Sequence, residues 1–343
     1  MNHELVPLLT LALSIVSCSG SDEELPLPTT QDAAVATVTQ NRSETTEAPS
    51  ETSDQIETYT DPNGDIAFIP AQFRVSAKPD EQVIRTGLVV IGPDDSEYVW
   101  VPTTQTQLSV REFNSYFYSG RISDYEDETS LPSYKAMADC VQHFGGFYIG
   151  RYEASVGSGN SLDNYIPASK PVTADHPGRI WVQFSPQDAT VICRNLYADN
   201  PTVQGFFPWG ANWDTTLQWL IDSGCKTRRQ VTEDSTSWGN YSDDTFSPNA
   251  SGKYTGAYEE TKANNIYDLA GNNWEWTQER YGTSYVMRGG GYSLMGGGCS
   301  GSRYPAALRD PLPGNNHHPN VCFRTALFLV PQGETTGITP VKM

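Results

Sequence analysis

Beyond residue 60 the apolar positions fall into short runs separated by turn-forming clusters. Gly87-Leu88-Val89-Val90-Ile91-Gly92 and Glu97-Tyr98-Val99-Trp100-Val101-Pro102 are β-branched and aromatic, and Pro93-Asp94-Asp95-Ser96 between them predicts a hairpin with a longer turn. Ser109 precedes Phe113, Tyr116 and Phe117 at helical spacing, and Gly146 to Glu153 reads as a strand. Ser185-Pro186-Gln187-Asp188 is a helix start, with Ser as N-cap, Pro at the first helical position and an acid near the positive end of the dipole. Its apolar face, Ala189, Ile192, Cys193 and Leu196, runs on toward Tyr197. A second helix is expected over Trp213 to Ser223, capped by Asn212 and stopped by Gly224. From about Asp234 onward regular periodicity gives way to Gly, Asn, Ser and Trp, with short strands at Trp274–Thr277, Tyr285–Arg288 and Val321–Leu329. Few helices, short strands and long connections define an α+β domain whose loops are held by aromatic packing.

The ends add a different pattern. Leu5 to Val16 is a short apolar run, and Ile15-Val16-Ser17-Cys18 matches the site at which bacterial lipoprotein precursors are cut, making Cys18 the lipidated first residue. The run is too short to span a bilayer, so a lipid anchor would be the only membrane attachment. Ser19 to Thr60 holds nine acidic residues, one Arg and no aromatic before Tyr59. Such a stretch cannot bury enough apolar surface to offset its chain entropy and is expected to be a disordered tether. The organisation predicted is a signal peptide over 1–18, a tether over 19–60, an N-terminal extension with hairpin and helix over 61–140, a core domain over 141–330 and a flexible tail over 331–343.

Charge and cysteine usage narrow the function classes. A net charge of −19 argues against nucleic acid as a partner, because phosphate is bound through Lys and Arg. Apart from Cys18, five cysteines remain without a CxxC, so neither a zinc ribbon nor a dense disulfide framework is indicated. One or two bridges would leave at least one thiol free.

The most specific feature is Ile266-Tyr267-Asp268-Leu269-Ala270-Gly271-Asn272-Asn273-Trp274-Glu275-Trp276-Thr277, followed by Arg288-Gly289-Gly290-Gly291-Tyr292. This pattern resembles the formylglycine-generating enzyme family, also called the sulfatase-modifying-factor family. The resemblance runs roughly from Gly87 to Val330 and implies a C-type-lectin-like fold. It also implies an oxidase that converts a cysteine of a sulfatase peptide to formylglycine, using oxygen and copper(I) held by two cysteines just after the Arg-Gly-Gly motif. Soft thiolates suit copper(I). In this chain the second of those cysteines coincides with Cys299, but the first falls on Leu294, which cannot bind a metal; Met295 beside it offers only a thioether. Copper is therefore not expected, and Cys299 is catalytic only if the chain is an enzyme with an altered site.

The resemblance further implies calcium at the Gly271–Trp276 loop, with Glu275, Asn272 and the carbonyl of Trp274 as ligands. Against this stands a structural reading in which Trp274 and Trp276 fill the core and Glu275 bonds the loop or pairs with Arg288. Between Arg288 and Arg324 the chain is rich in residues that binding surfaces use, among them Tyr292, Met295, Ser302, Tyr304, Asn316 and His317. Some members of the resembled family are ligand-binding proteins, and a subset has this region diversified by retroelements. The reading is a lipid-anchored protein of the bacterial cell envelope, on the outer-membrane surface if its host has one. Its domain would bind an extracellular protein or carbohydrate, with an altered oxidase as the alternative.

Overall fold

The structure is a computed structural model and describes residues 53–111, 113, 122–242, 254–294, 297, 298, 300–315 and 317–332. The first strands, β1 (Glu57–Thr60) and β2 (Ile66–Ile69), form an antiparallel ribbon. Residues 57–60 are therefore a paired strand rather than the end of a tether. Their alternation is weak, and the pairing comes from the partner at 66–69 on the far side of an Asp-Pro-Asn-Gly turn, in which Asp61 accepts from the Asn63 and Asp65 backbones.

Next come β3 (Arg74–Val75), the one-turn helix α1 (Ile84–Gly87), β4 (Val89–Ile91) and β5 (Glu97–Pro102). The expected hairpin is present, with Val89, Val90 and Ile91 opposite Val99, Tyr98 and Glu97. Helix α2 spans Pro132–Phe144, with Pro at its start and Gly145 in the left-handed region at its end. It buries Tyr134, Met137, Ala138 and Val141, a helical spacing that the sequence reading passed over. The helix expected behind Ser109 lies largely outside the described residues. The 140/141 boundary expected between extension and core falls within α2.

After α2 come β6 (Gly146–Gly150), the small hairpin of β7 (Ser155–Ser158) and β8 (Ile166–Ala168), α3 (Pro186–Arg194) and β9 (Val203–Phe206). Helix α3 starts as predicted, with a reciprocal Ser185/Asp188 capping box. It ends three residues before Tyr197, which stands at φ +52° where a helix cannot continue. Helix α4 (Gly210–Asp222) starts three residues before Trp213, and α5 (Arg228–Thr232) follows. Asn212 lies inside α4 and accepts from the Trp209 backbone (3.1 Å), while the first N–H groups, Gly210 and Ala211, donate to Glu128 at 2.8 and 3.0 Å. The cap comes from a carboxylate far away in sequence, and so no local signal announces it. Gly224 follows in the left-handed region, as a C′ residue should.

The last elements are β10 (Trp274–Tyr281), β11 (Ser284–Arg288), the two-residue pair β12 (Ser293–Leu294) and β13 (Gly297–Gly298), β14 (Asp310–Pro313), β15 (Val321–Phe323) and β16 (Ala326–Leu329). The strand expected over Val321–Leu329 is thus two strands, broken at Arg324-Thr325 and assigned to different sheets. A six-stranded antiparallel sheet runs β3-β4-β5-β6-β16-β9, and a four-stranded sheet runs β14-β11-β10-β15 with β10 and β15 parallel. Both faces of the large sheet are covered. Val89, Val99, Val101, Phe147, Ile149 and Phe328 join the core that includes α2 and α4; Val90, Tyr98, Trp100, Tyr148, Leu327 and Leu329 join the core under the β1–β2 ribbon. That explains why these strands read as continuous apolar runs rather than alternating ones. The fold is α+β, as expected.

Candidate functional site around Trp274

Residues 268–274 form a turn in which Asp268, Gly271 and Asn272 all have positive φ. Gly271 is required twice over, because its φ is +76° and a Cβ there would collide with the Asn240 carbonyl. Backbone bonds then gather distant segments onto this turn. Gly271 N–H donates to Gly289 (2.8 Å) and Asn272 N–H to Asn240 (2.8 Å), Tyr292 N–H donates to Asn272 (2.7 Å), and Trp274 N–H donates to Asn320 (3.2 Å). The Trp274 ring lies edge-on to Tyr304 at 5.9 Å, and the Gly291 backbone packs so closely on the indole that a Cβ would meet its Cδ1 at 2.7 Å. Tyr241 fixes the same region by donating its hydroxyl to the carbonyls of Tyr304 (2.7 Å) and Gly289 (3.0 Å). The motif is the junction on which the loops at 289–292, 300–304 and 317–320 are mounted.

Beneath the turn lies a buried polar cluster. Both oxygens of Glu275 accept from Arg324, Oε1 from Nη2 at 2.6 Å and Oε2 from Nε at 3.1 Å. Arg324 also donates to the carbonyls of Gly150 (3.0 Å) and Tyr267 (2.9 Å). Glu153 accepts from the Asn273 backbone (3.0 Å), from the Asn272 amide and from the Cys322 thiol (3.5 Å). Asp268 accepts from the Thr255 hydroxyl and the Gly256 backbone, both at 2.9 Å. Three buried carboxyl groups thus share one guanidinium. Burial raises the pKa of all three; the charges of Asp268 and Glu275 push Glu153 well above the carboxylate range, whereas Arg324 pulls Glu275 back.

This arrangement does not fit calcium. Glu275 spends both oxygens on Arg324, and Asn272 spends its Oδ1 on Asn240 (3.0 Å) and its amide on Glu153 and the Tyr254 carbonyl. A guanidinium already stands where the cation would have to lie. No group of three or more His, Cys, Asp or Glu that could hold a metal occurs among the described residues. The pairing partner of Glu275 is Arg324, not Arg288. Arg288 instead enters a second buried network, bonding Asp214 (2.5 Å) and Glu279 (3.1 Å), both of which Arg309 also holds. No spacing in the sequence marks Asp214, Glu279 or Arg309, because they meet only through tertiary structure.

The predicted surface residues divide. Tyr292 and Tyr304 are half-buried on the Trp274 junction, and Ser302 is exposed on the adjoining loop, where its hydroxyl lies 2.7 Å from that of Ser300. His317 is exposed and stands 3.4 Å from Asp188 at the start of α3. Met295, Asn316, Cys299 and Cys18 lie outside the described residues. The backbone of Leu294 pairs with Gly297.

Residues 202–328 match the family described as Sulfatase-modifying factor enzyme 1-like domain. That segment holds the whole Trp274 turn, Arg288 and Arg324. No curated protein matches the chain. Among solved structures, the chain is similar to the crystal structure of CarF, with 16% identity over 55% of this chain and 88% of that one and a TM-score of 0.33. It is also similar to Treponema denticola variable protein 1, with 14% identity over 79% of this chain and 98% of that one and a TM-score of 0.27.

Proposed function

We propose that this chain is a surface lipoprotein whose sulfatase-modifying-factor-like domain binds an extracellular protein or carbohydrate through the loops mounted on Trp274, and does not oxidise cysteine. The observation that carries this reading is Leu294, which stands where the resembled oxidases need their first copper thiolate. The buried chemistry supports it, because Glu275 and Arg324 satisfy each other while Glu153 and Asp268 accept from the Asn273 and Gly256 backbones, so that all four brace loops. A rigid junction bearing Tyr and Ser side chains on its loops is a physically reasonable recognition surface. Export and anchoring rest on the processing motif ending at Cys18.

The test has three arms. Replacing Cys18 with Ser should release the protein from membranes. Purified protein given copper and a cysteine-containing sulfatase peptide should leave the peptide mass unchanged. Tyr292→Ala, Tyr304→Ala and His317→Ala should each weaken attachment to a host or carbohydrate ligand, by about tenfold for an aromatic anchor, with the melting temperature preserved. Copper-dependent conversion of the peptide, abolished by Cys299→Ser, would establish the altered oxidase instead.

A further inference from the structure

A cleft of about 580 Å³ opens on a part of the molecule that lies entirely before the family-matched segment, lined by residues between 72 and 200. Its size is that of small-molecule sites. Four segments build it: the connection between β2 and β3 at Gln72, the β4–β5 turn with Asp94, the β7–β8 hairpin continuing to Lys170, and the loop that follows α3 with Tyr197 and Asp199.

The walls are rigid. Tyr197, in the left-handed region at φ +52°, donates its hydroxyl to Asp94 Oδ1 at 2.6 Å and packs edge-on against Phe73 at 4.9 Å. A bulky residue in that conformation is strained, and such strain clusters at ligand sites. Asp94 is further engaged through Oδ2 by the Ser96 hydroxyl at 2.6 Å, so its charge is already answered by two donors. Two charged groups on the cleft are not so engaged. Half-buried Lys170 and exposed Asp199 make no ion pair among the described residues. Apolar lining comes from Ala168 and from Ile166, which leaves 36% of its surface open.

Charge decides the ligand class. A small anion drawn to Lys170 would meet Asp199 in the same cleft, and a cation drawn to Asp199 would meet Lys170. A molecule with one charge of each sign escapes both penalties. We propose that this cleft binds a small zwitterion with an apolar side chain, a free amino acid or dipeptide. Lys170 would receive its carboxylate, Asp199 its ammonium group, and Ile166 with Ala168 its side chain. This site is independent of the loops around Trp274.

The experiment is calorimetric titration of the full chain with L-leucine as probe, beside 4-methylpentanoate, which lacks the ammonium group, and isoamylamine, which lacks the carboxylate. Saturable binding of L-leucine is expected, with both truncated probes weaker by about tenfold or more, the worth of a charge-assisted hydrogen bond. Lys170→Met and Asp199→Asn should each weaken L-leucine by a similar factor while circular dichroism melting stays unchanged. Should Lys170→Met fail to fold, Lys170→Gln takes its place. Absence of binding by L-leucine, L-phenylalanine and Leu-Leu up to about 10 mM overturns the proposal. So does 4-methylpentanoate binding as well as L-leucine, or undiminished binding by a folded Lys170 variant.

Discussion

Arg324 is the single side chain on which the Trp274 turn most depends. It holds Glu275 with two bonds and ties the carbonyls of Gly150 and Tyr267, so that β6, β10 and the Tyr267 segment meet at one guanidinium. Removing one member of a buried pair costs about 3–5 kcal/mol, and Arg324→Met is expected to fall in that range by urea denaturation. The pH dependence has a definite sign. Without Arg324 nothing pulls the Glu275 pKa down, so the folded state holds protons more tightly than the unfolded chain. Stability is then present at acid pH and lost as pH rises. The damage from Arg324→Met should therefore grow as pH rises above the ordinary carboxylate range, and a penalty independent of pH would contradict this role of Arg324 toward Glu275. Because Arg324 occupies the place proposed for a cation, calcium and chelator should leave the wild-type melting temperature unchanged, whereas a rise with saturating calcium on the order of 100 times its dissociation constant would point to ligands elsewhere.

The docking of helix α4 shows what local sequence could not disclose. Its first amides bond Glu128, and Gly210 also lies against Glu279, so five buried ionisable groups (Glu128, Asp214, Glu279, Arg288 and Arg309) surround one helix end. Three acids face two guanidinium groups. Burial and the charge of Glu279 raise the Glu128 pKa to about 8, with Asp214 adding to the effect. A raised carboxyl pKa contributes stability that is fully present below the unfolded value and is lost as pH rises through about 8. Glu128→Gln, which cannot ionise, should flatten the decline of the urea midpoint between pH 5 and pH 8; an unchanged slope would mean that Glu128 is ionised throughout. The legible elements were those with local punctuation, such as Ser185-Pro186 opening α3, Gly224 closing α4 and the turn between β4 and β5. What remained hidden was non-local. The N-terminus of α4 takes its cap from Glu128, the break between β15 and β16 is imposed by Arg324 turning inward, and the partner of Glu275 lies 49 residues away. At the site, the motif singled out Asn272, Trp274 and Glu275, but composition alone could not say that Glu275 pairs with Arg324.

Across the whole molecule, the segment before the family-matched region is no appendage, since β3, β4 and β5 share a sheet with β6, β16 and β9. The position of β16 has a consequence for how the protein is made. Ala326–Leu329, close to the C-terminus, is inserted between β6 and β9, hydrogen-bonding Ile149 and Tyr148 on one side and Val203 to Phe206 on the other. Until that strand emerges from the ribosome, β6 and β9 are unpaired edges and Leu327, Phe328 and Leu329 are missing from the two cores they fill. Sheet completion must therefore wait until residues 326–329 have been made. Long-range pairing of this kind is slow, and exposed edges invite aggregation. A chain truncated after Thr325 should be recovered in the insoluble fraction, while one truncated after Gln332 should fold with near wild-type yield. If the chain is exported as proposed, the same delay would serve it, because a nascent protein that cannot close its sheet early stays extended enough to be threaded across a membrane.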